Sequence, residues 1–76
     1  MTARLPRCTP REVIAALKRA GFFVDHIRGS HHYLRHPEHP HDIVLVAYHN
    51  RDLKRGTMHS IIKQAGMTPE EFSRLL

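Results

Sequence analysis

Apolar residues at the two ends of the chain recur at helical spacing. They predict three helices, at about 10 to 20, roughly 57 to 65 and near 69 to 75. The first and third begin with a capping box and a proline at the first helical position, as in the stretch from Thr9 to Glu12. Gly21 follows the first helix, where a positive φ is expected, and the second helix is predicted to stop at Gly66.

The predicted helices are amphipathic, and each supplies part of a thin core. Met58, Ile61 and Ile62 form the apolar stripe of the second helix. In the third helix the apolar residues Phe72, Leu75 and Leu76 are spaced i, i+3, i+4. We therefore expect this helix to dock one face on the body of the protein.

Between the first two helices the period changes to two, which predicts strands near 22 to 28, 31 to 36 and 42 to 48. The short connections predict an antiparallel meander. Pro37 and Pro40 cannot donate to a ladder, so residues 36 to 41 are interpreted as a hairpin loop. The predicted fold is α+β, with the order α-β-β-β-α and a short C-terminal helix. Helices are expected on one face of the three-stranded antiparallel sheet.

Length and charge narrow the possible functions. A chain of 76 residues is interpreted as one domain, residues 1–76, too small for a deep active site. Its net charge of +5 and pI near 10.2 favour a polyanionic partner, with nucleic acid ahead of acidic lipid. We find no run of ~20 apolar residues and no signal-peptide pattern at the start, so a cytoplasmic protein is expected. Cys8 is the only cysteine, which excludes an internal disulfide and a Cys-based zinc site.

Five of the eight histidines fall between positions 31 and 41. Alternation along the middle strand places His31 on one face with Tyr33 and Arg35, and His32 on the other with Leu34. A leucine usually marks the side that helices cover. His31 is therefore predicted on the open face, and His32 is interpreted as structural.

The remaining histidines of this region are expected in loops and at strand ends: His36, His39, His41 and His49. A zinc site built from them is the weaker interpretation, because they lack cysteine partners and the spacing of a known zinc motif. No metal and no other cofactor is predicted.

The same residues form an ordered set of motifs: Gly29-Ser30-His31-His32, Arg35-His36-Pro37, Val46-Ala47-Tyr48-His49-Asn50, Leu53-Lys54-Arg55-Gly56-Thr57 and Ser60-Ile61-Ile62-Lys63-Gln64-Ala65-Gly66. This set resembles the HicA toxins of bacterial toxin–antitoxin pairs. The resemblance implies a fold similar to the double-stranded-RNA-binding domain, an mRNA-cleaving activity that stops translation, and a HicB antitoxin that binds and blocks the toxin. The family's catalytic histidine is the one in Gly-Ser-His, here His31. The family often has proline where this chain has Ala47 and Arg55.

For RNA cleavage of this kind the protein need not supply a nucleophile, because the 2′-hydroxyl of the RNA is the nucleophile. A histidine, with an ordinary pKa of about 6.5, can accept that proton without a metal ion. Positively charged side chains and backbone amides can bind the phosphate, and a serine hydroxyl can donate a hydrogen bond to a phosphate oxygen. A glycine allows the RNA to approach the backbone closely, and an aromatic ring can stack on a base. The predicted RNA-binding residues are Arg28, Gly29, Ser30, Tyr33, Arg35, Lys54, Arg55 and Thr57.

Two hypotheses remain open at this point. The first is a metal-independent endoribonuclease toxin that uses His31. The second is an RNA-binding module that uses the same basic sheet face and cuts nothing. A binding module has no need of an imidazole at position 31, whereas the nuclease does.

Overall fold

The computed structural model describes residues 5–76 and has the element order predicted from the sequence. The elements are α1 (Pro10–Arg19), β1 (Phe23–Arg28), β2 (His31–His36), β3 (His39–Ala47), α2 (Arg55–Gln64) and α3 (Pro69–Ser73). The strands form one antiparallel sheet in the order β1-β2-β3. The α+β prediction is thereby confirmed. Residues 1–4, part of the stretch in which no signal peptide is expected, lie outside the described residues.

The start of α1 is fixed by its capping box. The amide of Glu12 donates to Thr9 Oγ1 at 3.3 Å, and the amide of Thr9 donates to Glu12 Oε1 at 2.9 Å. These bonds satisfy two amides that a helix start leaves without partners. The bond from the Thr9 backbone is also the first cause that lowers the pKa of the Glu12 carboxyl below its ordinary value of 4.5.

All three helices bury their apolar faces against one side of the sheet. The side chains of Leu17, Ile61 and Phe72 are at most 2% exposed. From the sheet, Leu34 and Val44 are fully buried against them. The opposite side of the sheet, here called the open face, is not covered by a helix and carries the exposed apolar side chains Phe23, Ile43 and Leu45.

Three predicted boundaries differ from the structure by two residues or more, and two of them are the starts of α2 and β3. Helix α2 begins at Arg55 rather than near 57, because its N-cap is Lys54, which makes no side-chain capping bond and leaves no recognisable start. Strand β3 begins at His39 rather than near 42, so the predicted loop over 36 to 41 is a turn of two residues, Pro37 and Glu38. Pro40 is tolerated within β3 because this strand lies at the edge of the sheet.

The C-terminal helix docks through fewer residues than predicted. Phe72 is fully buried and Leu75 packs half-buried against the core, but Leu76 is 43% exposed. Helix α3 ends at Ser73, so Leu76 lies beyond the helix rather than on its face. None of the helices within residues 5–76 has the length and apolarity needed to cross a membrane.

Candidate functional site

His31 is the first residue of the central strand and follows a two-residue turn made by Gly29 and Ser30. Gly29 has a φ of +60°, and glycine with positive φ at the first turn position is the arrangement of a type II′ hairpin. Arg28 pairs with His31 across this turn, and Ala47 pairs with His31 on the other side. The His31 side chain is therefore exposed on a backbone that is held by ladders on both sides.

The alternation predicted for β2 is confirmed. Leu34 is fully buried and pairs with Val44, so it points to the helices. Tyr33 and Arg35, its neighbours along the strand, must then lie on the open face together with His31.

His32 lies on the covered side, as predicted. Its ring stacks on the ring of Tyr48, with 4.8 Å between centroids and 23° between planes. Its Nδ1 atom is buried and has no hydrogen-bond partner among the described residues. The His32 ring therefore packs against Tyr48, the first residue of the loop that joins β3 to α2.

Tyr33 does not offer two free ring faces. It stacks on His26 of β1, with 4.3 Å between ring centroids and 10° between ring planes. A base that stacks on Tyr33, as the sequence predicts, therefore has to use the ring surface that His26 leaves uncovered.

A β-bulge places two neighbouring side chains of β1 on the open face. Val24 pairs with Leu34 and His26 pairs with Tyr33, so β1 has one residue, Asp25, more than a regular ladder needs. Neighbouring residues of a regular strand point to opposite faces, but here Asp25 Oδ2 lies 2.8 Å from His26 Nδ1. The bulge makes this contact possible.

The Asp25 carboxyl also binds Arg35. Its Oδ2 lies 3.4 Å from Arg35 Nε. The hydrogen bond with His26 is the first cause that lowers the pKa of Asp25 below its ordinary value of 3.8, and Arg35 adds to the effect. The Asp25 side chain is 34% exposed, so solvent moderates these interactions.

Arg35 lies where the sequence predicts, but its guanidinium is already engaged. Besides its contact with Asp25, its Nη1 donates to the backbone carbonyl of Pro40. The side chain therefore links β1 to β3. The role of Arg35 in binding phosphate stays a prediction.

The second basic group of the predicted site, Lys54 and Arg55 with Thr57, lies at the start of α2 and is exposed. The loop that leads to it leaves the sheet next to the His31 turn, where the amide of Tyr48 donates to the carbonyl of Ser30 at 2.7 Å. Arg28, His31 and Tyr33 adjoin one another through the ladder. The α2 residues belong to a separate element.

The other histidines do not form a loop cluster. His39 is the first residue of β3, which is a strand end as predicted, whereas His41 lies inside the strand because β3 begins earlier than predicted. Within residues 5–76, no group of three or more His, Cys, Asp or Glu side chains is arranged to hold a metal ion.

Asp25 and His26 are the site residues that the sequence analysis missed. Strict alternation separates adjacent residues onto opposite faces, and the stretch from Phe23 to Arg28 has no glycine to indicate a bulge. The one available sign was that both residues are polar and follow each other in a strand otherwise rich in apolar residues.

The fold and the site define a small basic α+β domain with a histidine exposed at a hairpin on the uncovered face of its sheet. Residues 10–67 match the family model described as the HicA toxin of bacterial toxin–antitoxin systems. The chain therefore belongs to the HicA toxin family, which gives it the role of a toxin and implies an antitoxin as its partner. A search of curated protein sequences gave no match.

Proposed function

We propose that this toxin cleaves RNA on its open face, with His31 as the general base. The observation that supports this proposal best is the exposed position of His31 at the start of the central strand, with Arg28 directly opposite. The protein must remove the proton of the 2′-hydroxyl and stabilise the charge that develops at phosphorus. An imidazole beside a guanidinium can do both.

In the proposed step, a ring nitrogen of His31 accepts the proton of the 2′-hydroxyl while a bond forms between O2′ and phosphorus. The bond between phosphorus and O5′ breaks, and O5′ takes up a proton from a donor such as water, while the protonated His31 later returns its own proton to solvent. The products are a 2′,3′-cyclic phosphate and a 5′-hydroxyl end. Atoms and charges balance without a metal ion or other cofactor.

The turn before His31 is suited to bind the scissile phosphate. Arg28 supplies a positive charge, and the hydroxyl of Ser30 can donate to a phosphate oxygen. A Cβ added to Gly29 would meet no atom within 4 Å, so the backbone at this turn is open to the approach of a ligand. Tyr33 adds the remaining ring surface for an unstacked base.

The exposed start of α2 is proposed to bind the RNA backbone further along the strand. Lys54 and Arg55 supply two positive charges, and the amide of Thr57 lies in the first turn of the helix. Helix starts and cations both favour phosphate groups. These two cations, the helix start and the net charge of +5 together favour an mRNA substrate that is bound through its phosphate backbone.

The antitoxin is proposed to be a HicB-type protein that covers the open face in a hetero-oligomeric complex. That face combines the apolar side chains Phe23, Ile43 and Leu45, each 38 to 44% exposed, with nearby cations. A partner that matches it needs an apolar centre and acidic groups near Arg28 and Arg35, since opposite charges accelerate capture.

The test compares wild type with His31→Ala on a structured and an unstructured RNA in EDTA. A matched control is His59→Ala, which removes an exposed histidine from α2. We expect wild type and His59→Ala to cleave, with cyclic phosphate ends, and His31→Ala to bind RNA without cleaving it. Cleavage by His31→Ala at the wild-type rate would refute the assignment of His31. If wild type binds RNA but never cleaves it, the protein is the RNA-binding module of the alternative hypothesis.

A further inference from the structure

Cleavage of an RNA phosphodiester requires two proton transfers. One group accepts the proton of the 2′-hydroxyl, and another donates a proton to the leaving O5′. His31 in its neutral form can do only the first at the moment of bond cleavage. A second proton carrier on the same face would complete the reaction.

His26 lies at the required place in the sheet. His31 pairs with Arg28, and the next pair on this face is Tyr33 with His26. His26 is therefore the diagonal neighbour of His31 across two adjacent strands, and such neighbours are roughly 7–8 Å apart. This separation is that of the backbone positions, and two histidine side chains that extend from the same face of the sheet at such positions can both reach one phosphate group.

The ring of His26 is exposed, yet three contacts fix it. Asp25 Oδ2 lies 2.8 Å from its Nδ1, and the plane of the ring stacks on Tyr33 at 4.3 Å. Arg35 holds the same carboxylate oxygen, with Nε at 3.4 Å, and is itself anchored on the carbonyl of Pro40. The His26 side chain remains 43% exposed, so a substrate can reach it.

The contact with Asp25 also decides which nitrogen faces the substrate. With Nδ1–H donating to the carboxylate, Nε2 is the nitrogen left to exchange a proton with a ligand. A surface histidine without a function does not require a bulge, a carboxylate and an aromatic ring to orient it. The arrangement is that of a positioned acid–base group.

We propose that His26 is a second catalytic residue of this toxin, which donates the proton from Nε2 to the leaving O5′ as the P–O5′ bond breaks. The inference rests on the proposed function of His31 as the base. After the step, His31 carries the proton taken from the 2′-hydroxyl, and His26 is neutral. Asp25 is a positioning residue, because it acts on the ring of His26 and not on the substrate.

The test uses two RNA oligonucleotides that differ in one atom. In the first the scissile linkage is natural; in the second, sulfur replaces the bridging O5′, so the leaving thiolate needs no proton. We expect His26→Ala to cleave the natural RNA about 10²- to 10⁴-fold more slowly than wild type, which is the usual contribution of a general acid. The sulfur-containing RNA should be cleaved by His26→Ala and wild type at similar rates.

The controls separate this proposal from that of His31. His31→Ala should lose cleavage of both RNAs, and His59→Ala should lose neither. Asp25→Ala should cleave the natural RNA more slowly than wild type, with a smaller loss of rate than His26→Ala. It should cleave the sulfur-containing RNA at the wild-type rate, which would not be the case if Asp25 had only a structural role. If His26→Ala does not fold, His26→Asn replaces it.

The outcomes are distinct. Equal losses by His26→Ala on both RNAs, or no loss on either, would overturn the role of His26 as the acid while leaving His31 as the base. If His31→Ala cleaves as fast as wild type, or if wild type cleaves neither RNA, the proposed function itself fails and the role of His26 fails with it.

Discussion

His36 Nε2 lies 3.1 Å from the backbone oxygen of Ala20, which joins the far end of β2 to the end of α1. The ring of His36 also meets the ring of Phe22 edge to face, with 5.1 Å between centroids. The next residue after Ala20 is Gly21, whose φ is +100°. A Cβ at Gly21 would lie 2.8 Å from His36 Nε2.

We therefore expect Gly21→Ala to destabilise the protein by more than the ~1 kcal/mol typical of alanine at a positive φ. The matched control is Gly66→Ala, at φ +72°, where an added Cβ would meet no atom within 4 Å. Thermal or urea unfolding of the two variants measures the difference. Equal destabilisation of both would show that the contact with His36 does not limit the size of residue 21.

His31 and His32 are adjacent in sequence but are expected to respond differently to alanine. His32→Ala removes a half-buried ring that stacks on Tyr48 and should lower the free energy of unfolding by about 1 kcal/mol or more. His31→Ala removes an exposed ring and should leave the melting temperature almost unchanged. Unfolding curves and RNA cleavage by the folded fraction separate the two effects. A stable His32→Ala variant without activity would contradict the structural role of His32.

The capping box of α1 predicts a loss of stability in acid. The pKa of Glu12 is lowered in the folded state from 4.5, so its contribution is fully present above pH 4.5 and disappears as the pH falls through the folded value. Glu12→Gln retains a hydrogen-bonding partner for Thr9 but has no such titration. Wild type should exceed this variant in melting temperature at pH 7, and the two curves should converge as the pH falls below 4.5. Parallel curves would refute the linkage.

Binding of RNA should weaken steeply with salt. On a single strand, each neutralised phosphate adds about −0.7 to the slope of log K against log salt concentration. In the inactive His31→Ala background, the pair Lys54→Ala and Arg55→Ala should flatten this slope without changing the preferred sequence. The control pair, Lys63→Ala with Arg74→Ala, removes the same charge from other exposed positions. Fluorescence anisotropy at several salt concentrations measures the slope for each double variant. If both double variants flatten the slope equally, RNA binds through the overall positive charge of the protein rather than through local contacts at Lys54 and Arg55.

The antitoxin should protect the site from solvent. Hydrogen exchange of the complex is expected to slow over residues 28 to 35 and 54 to 57, because the partner must cover an open and shallow face to block RNA. Residues 69 to 73 of α3, on the other side of the sheet, serve as the internal comparison. Protection confined to the helices, with 28 to 35 exchanging as in the free toxin, would mean that inhibition works by another route.

Much of this architecture follows from local sequence, and the exceptions have physical causes. The start of α1 could be predicted because Thr9 and Glu12 satisfy each other's amides. The start of α2 could not be predicted, because the side chain of its N-cap residue, Lys54, makes no capping hydrogen bond. The face of His31 followed from Leu34, since one buried residue sets the phase of a whole strand.

The early start of β3 and the bulge in β1 depend on neighbours that are distant in sequence. Pro40 indicates a loop when only its missing amide is considered, and only the edge position of β3 makes it acceptable. The position of His26 depends on how β1 pairs with Tyr33. Local periodicity contains no information about an extra residue in a ladder.

Asp25 is the extra residue in the pairing of β1 with β2, so the bulge can be gained or lost in evolution by the insertion or deletion of a single residue. Deleting it leaves Val24 opposite Leu34 and His26 opposite Tyr33, so the neighbours keep their faces. A lineage of such toxins can therefore gain or lose the carboxylate in one step without rebuilding the domain. Under the role proposed for Asp25, two descendants that differ only there would share the fold and would differ in the rate of RNA cleavage.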